Sequence, residues 1–151
     1  MVESVKTLVA ASKHPGTMMS NSIDEHRIDA AIGVLRRCAA VQAAYLLGSA
    51  AADRLRADSD VDVAILPTGR GSLPVEERMS LTAELTKIFG RSVDLGVLST
   101  ANVVYAKEVV AKGRILCERD RTETARFEML ALSMYASLQE ARREVLRAYA
   151  A

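Results

Sequence analysis

From Val41 onward the chain alternates short apolar runs with longer segments of mixed character. Val41 to Leu47 is short, apolar and stopped by Gly48, and in Asp60 to Leu66 the residues Val61, Val63 and Ile65 alternate with Asp60, Asp62 and Ala64. Both spans predict β-strands, the first as a short apolar run bounded by a turn residue and the second by its alternating apolar period of two. Ser92 to Leu98 repeats the pattern, with Val93, Leu95 and Val97 set against Asp94 and Gly96, and Ile115 to Cys117 suits a short last strand.

The segments between them carry helical spacing. Ser22-Ile23-Asp24-Glu25 places a serine and a glutamate three apart, the pair that satisfies free backbone amides at a helix start. Ile28, Ala31, Ile32, Leu35 and Cys38 then recur on one helical face to about Ala40. Ser49 to Leu55 suits one or two turns. Pro74 to Phe89, with proline in the first turn and Gly90 as the stop, predicts a full helix, as does the span from Ser99 or Thr100 to Lys112, ended by Gly113. Thr122 to Ala150 predicts a last helix with Phe127, Leu130, Met134, Leu138 and Val145 on one side. At helical spacing that side is expected to pack on its own domain, a partner-binding stripe being the alternative. Arg142, Arg143 and Arg147 suit a solvated helix end, a favourable match to its dipole, or contact with an acidic partner face. Residues 1 to 21 contain His14-Pro15-Gly16, which breaks any helix begun at Val2, so a loose extension is expected before one domain over 22–151.

Composition narrows the functional classes. A chain of 151 residues, half apolar and 26% charged, suits one packed domain rather than disorder. The net charge of +1 gives no reason to expect a polyanionic partner such as RNA or DNA. No window is long and apolar enough for a membrane span, and the first twelve residues lack the apolar stretch of a secretory signal. Cys38 and Cys117 are far apart, with no histidine or cysteine at metal-ligand spacing, and read as buried free thiols of a cytoplasmic protein. The two histidines, His14 and His26, lie away from the Asp60-Val61-Asp62 motif in sequence and are expected at the surface, so a histidine-based hydrolase or zinc site finds no support.

The chemistry concentrates on three aspartates and a Gly-Ser. In an alternating strand Asp60 and Asp62 point to one face, roughly 7 Å apart, and Asp94 holds the matching place on the third strand. Carboxylates brought together repel, and a shared hard cation such as Mg²⁺ removes that conflict while leaving room for substrate phosphates. Gly48 and Ser49 fall where a strand hands over to a helical turn, so free backbone amides and a hydroxyl are offered to an anion. Together these parts suit in-line attack on the α-phosphate of a nucleotide. Asp60 and Asp62 then bind metal, and Asp94 binds metal and activates the incoming hydroxyl.

At these residues, Gly48-Ser49 followed by Asp60-Val61-Asp62, the sequence resembles the nucleotidyltransferase superfamily related to DNA polymerase β, over about Val41 to Leu98. The resemblance implies an α/β (α+β) nucleotidyltransferase fold: a small mixed sheet with helices packed on one face and a C-terminal helix. It also implies Mg²⁺, with two ions expected, and ATP as substrate. Small size and the C-terminal segment with Arg126-Phe127-Glu128, Tyr135, Leu138 and Arg142 extend the likeness, over about 22 to 150, to the minimal nucleotidyltransferases that act as antitoxins to HEPN-domain toxins. That group implies transfer of AMP from ATP to a tyrosine of the toxin. Many of its members carry Ala-Arg-Gly after the Gly-Ser, whereas this chain has Ala51-Ala52-Asp53. Arg54 or Arg56 then supplies the charge from nearby, with Ser59 as a further phosphate ligand, or triphosphate binding is weakened and the protein acts as a binding antitoxin. A small-molecule acceptor is the third reading, and a homodimer is left open.

Overall fold

The computed structural model describes residues 23–51, 58–69 and 72–151. The expected N-terminal extension, His14 and the segment holding Asp53, Arg54 and Arg56 lie outside these residues. Helix α1 (Glu25–Arg37) is capped by Asp24, whose side chain accepts from the His26 amide at 3.2 Å; Ser22 of the expected capping pair lies outside the described residues. Then follow β1 (Val41–Leu47), the single turn α2 (Gly48–Ala51), β2 (Val61–Pro67), α3 (Val75–Phe89), β3 (Val93–Val97), α4 (Val103–Lys112), β4 (Arg114–Glu118) and α5 (Arg121–Ala150).

The four strands form one mixed sheet in the order β3-β2-β1-β4. β1 runs antiparallel to both β2 and β4, while β2 and β3 are parallel and joined through α3, as a parallel pair requires. The mixed sheet and the α+β class are as the sequence implies, but the helices cover both faces rather than one. Ala44, Leu46, Val61, Val63 and Ile65 pack under α1 and α3, with Leu35, Leu81, Leu85 and Phe89. The alternate residues Ala43, Tyr45, Ala64 and Leu66 pack on the other side with Ala106 and Val109 of α4 and Ala131 of α5. The small side chains on this second face let α4 and α5 approach closely.

The last helix is turned differently from its apolar pattern. Leu130, Met134, Leu138 and Val145 are 48%, 37%, 37% and 55% exposed, so the expected core side faces outward; only Phe127 of that set packs against the sheet. Two buried polar groups on β1 explain the phase. Gln42 donates to the Asp120 carbonyl at 2.6 Å and the Thr124 hydroxyl at 3.2 Å, and the Tyr45 hydroxyl donates to Glu128 at 2.7 Å. A buried donor without a partner costs more than leaving a few aliphatics in water, so the face carrying Thr124 and Glu128 turns inward. Beyond Gln139 every residue of α5 is exposed.

Candidate active site

β1 ends at Leu47, whose partner across the sheet is Asp62 of β2, and Asp62 in turn is directly opposite Asp94 of β3. The sheet register thus lines up the end of β1 and two carboxylates in one row, with neighbouring strands about 4.8 Å apart. Gly48 turns the chain out of β1 with φ of +61°, and a Cβ there would stand 3.1 Å from Asp62 Oδ2. The Asp62 carboxylate therefore rests against bare backbone where the Gly-Ser begins. Ser49, half-buried, follows it in α2.

Asp60 differs slightly from expectation. It is the exposed residue just before β2, which starts at Val61, so its side chain is not locked into the strand's alternation. It still lies close enough for its charge to act on Asp62. Partial burial, then Asp94, then Asp60 push the Asp62 carboxyl above its ordinary value. Such a shift marks a place where negative charge is crowded and a cation would be welcome. Among the described residues no three acidic, histidine or cysteine side chains are gathered closely enough to enclose an ion. The donor set, all carboxylate oxygen and open to solvent, instead fits a hard divalent cation that draws its remaining ligands from water and substrate phosphate.

Ser59 stands just before Asp60, and its carbonyl accepts from Arg91 at 3.3 Å. The structure thus brings together Gly48, Ser49, Asp60, Asp62 and Asp94, with Ser59 adjoining Asp60 in the chain. Two further residues at this site carry no sequence signal of their own. The Tyr105 hydroxyl, from the first turn of α4, sits over Gly96: a Cβ at residue 96 would meet it at 2.0 Å. Burial, then the charges of Asp94 and Asp62, raise the Tyr105 pKa, and Arg78 opposes this. Arg78, from α3, donates to the Leu95 carbonyl at 2.7 Å on the outer side of β3. Gly96 falls two residues after Asp94 and so shares its face, the one clue the sequence offers. The finding that Tyr105 fills the space above it belongs to the packing of α4.

The rest of the molecule holds less chemistry. A cavity of about 250 Å³ lies at the opposite end of β1, beside Val41 and Gln42. Arg119 on its wall is tied to the carbonyls of Val41, Arg36 and Cys38 at 3.0 to 3.3 Å. Cys117 is buried, and burial pushes its thiol up, while Cys38 is half-buried; both are free. His26 is exposed, as expected. Among the described residues no helix is long and apolar enough to cross a membrane.

A family model described as "Polymerase beta, Nucleotidyltransferase" matches residues 30–122. The chain is similar to the protein adenylyltransferase MntA of Shewanella oneidensis, at 29% identity over 106 residues, or 70% of this chain and 74% of the relative. It is similar in structure to a chain of a toxin-antitoxin crystallised with AMP-PNP. The TM-score is 0.67 and the identity 28%, with 82% of this chain and 98% of the other covered. It is likewise similar to a chain of the complex between a tri-AMPylated Shewanella oneidensis HEPN toxin and its MNT antitoxin. There the TM-score is 0.64 and the identity 26%, covering 84% and 98% of the two chains.

Proposed function

The chain belongs to the polymerase beta nucleotidyltransferase family, and on that premise we propose that it transfers AMP from ATP to a tyrosine hydroxyl of a cognate HEPN-domain toxin in the cytoplasm. The observation that carries this reading is the row formed by Gly48, Asp62 and Asp94, which sets a bare backbone approach beside two facing carboxylates. Likeness to a protein adenylyltransferase, and to complexes that include an AMPylated toxin, supports the acceptor class.

In this mechanism Gly48 and Ser49 receive the triphosphate, with Ser59 beside them. The acceptor phenol oxygen attacks the α-phosphorus, the bond from that phosphorus to the oxygen bridging the β-phosphate breaks, and pyrophosphate leaves. The phenol proton passes to the Asp94 carboxylate, which then acts as general base. Asp60, Asp62 and Asp94 would hold Mg²⁺, two ions in our reading, which when bound neutralises charge on the carboxylates and the phosphates. Arg54 and Arg56 enter as phosphate ligands on the sequence alone. Residues 22–151 act as one domain in this reading.

The test is direct. Labelled ATP and Mg²⁺ are incubated with this protein and the HEPN-domain product of the adjacent gene. Label is expected on a tyrosine of the partner, and loss of label is expected for Asp62→Asn. An unlabelled partner across a range of concentrations would sink the proposal. Ala52 and Asp53, in place of the arginine and glycine of many relatives, favour a second reading in which the protein neutralises by binding. A folded Asp60→Ala, Asp62→Ala double variant would then still protect cells, and loss of protection counts against that alternative.

A further inference from the structure

We infer that the Tyr105 hydroxyl is a contact for the acceptor residue, holding the attacking oxygen on the β3 side of the nucleotide. The inference rests on the transfer reaction proposed above and goes on to assign a residue to the acceptor. In-line displacement places the attacking and leaving oxygens on opposite sides of the phosphorus. The leaving pyrophosphate belongs to Gly48 and Ser49, at the end of β1. The next strands across the sheet are β2 with Asp62 and then β3 with Asp94, so the attacking oxygen must arrive from the β3 side.

On that side the structure offers a built feature. β3 is the edge strand, so the approach is not closed by a further strand. Asp94 and Gly96 share one face, roughly 7 Å apart along β3. The Tyr105 hydroxyl occupies the space that any side chain at residue 96 would fill, with a Cβ there 2.0 Å from the hydroxyl and 2.8 Å from Cζ. Glycine at 96 is thus what admits the phenol. The α4 backbone holds Tyr105 in place: its amide is bonded to the Asn102 cap at 3.2 Å and its ring packs on the second core cluster. The residue is only partly buried, which leaves that side of the site within reach of an incoming group. An anchored hydroxyl beside the general base is suited to take one lone pair of the acceptor oxygen, leaving the other to attack while the proton goes to Asp94.

The experiment uses the full chain, the partner and labelled ATP, and compares wild type with Tyr105→Phe and Gly96→Ala. Tyr105→Phe should lower kcat/KM for the partner by about two- to tenfold, the loss of one hydrogen bond. KM for ATP, and AMP-PNP affinity measured without partner, should not change. Gly96→Ala displaces the hydroxyl and should reproduce that loss, and combining it with Tyr105→Phe should add little. Unchanged transfer by Tyr105→Phe overturns the inference and leaves the proposed function standing. A parallel loss of AMP-PNP affinity also overturns it, since the hydroxyl would then serve the nucleotide or the fold. If wild type labels no partner, the proposed function fails and the inference falls with it.

Discussion

Replacing Gly48 with alanine separates the energetic role of this residue from its chemical one, because Gly69 provides a control in the same chain. Both glycines have positive φ, +61° and +66°, but a Cβ at Gly48 would stand 3.1 Å from Asp62 Oδ2 whereas one at Gly69 meets nothing within 4 Å among the described residues. An L-residue in this left-handed region costs about 1 to 2 kcal/mol. Restricting the unfolded chain returns about 0.4 to 1 kcal/mol. Each variant should therefore lose about 1 kcal/mol, or about 2 to 4 °C in Tm for a chain of this size. A domain with ordinary stability of about 5 to 15 kcal/mol stays folded after that loss. Any large fall in transfer must then come from the site. In Gly48→Ala the new methyl crowds Asp62 and thickens the backbone where phosphate approaches, so transfer and AMP-PNP affinity should fall roughly ten- to hundredfold. Gly69→Ala should lose the same few degrees and keep both. The measurements are thermal melts, AMP-PNP titration and initial rates on the partner. Gly48→Ala with full transfer, or Gly69→Ala with an equal loss, would refute the reasoning.

Three further outcomes follow from other parts of the molecule. Asp62 has a raised pKa, so the folded state holds its proton more tightly than the unfolded chain. Stability contributed by this group therefore falls as pH rises from the ordinary value of 3.8 through the raised one, and the penalty is complete above it. Metal-free Asp62→Asn should thus melt at or above the wild-type temperature at pH 7, with the gap closing toward low pH; a clear drop at pH 7 would make Asp62 structural. Tyr45→Phe removes the hydroxyl bonded to Glu128 from a side chain that is 1% exposed, and should cost about 1.5 kcal/mol, or roughly 3 to 6 °C. A melt equal to wild type would show that bond to be idle. Deleting residues 141–151 removes only exposed positions and should shift Tm by no more than about 2 °C; a larger fall would place those residues against the body.

What the sequence determined by itself is whatever local spacing encodes. Short apolar runs and apolar periods of two located the four strands, and spacing near four located the long helices. The order of Gly48-Ser49, Asp60-Val61-Asp62 and Asp94 was readable because each sits at a strand end or on a strand face, and period alone fixes direction for Asp62 and Asp94. Tertiary structure decided how those faces meet. Asp62 and Asp94 face each other only because β2 and β3 pair in parallel at that register. The buried side of α5 was set by the partners that Gln42 and Tyr45 require on β1, eighty or so residues away, and not by its own aliphatics. Tyr105 reaches Gly96 because α4 packs on that face of the sheet, a contact between residues whose spacing in the chain says nothing about it. Periodicity sees one element at a time, whereas hydrogen-bond satisfaction and close packing are settled between elements.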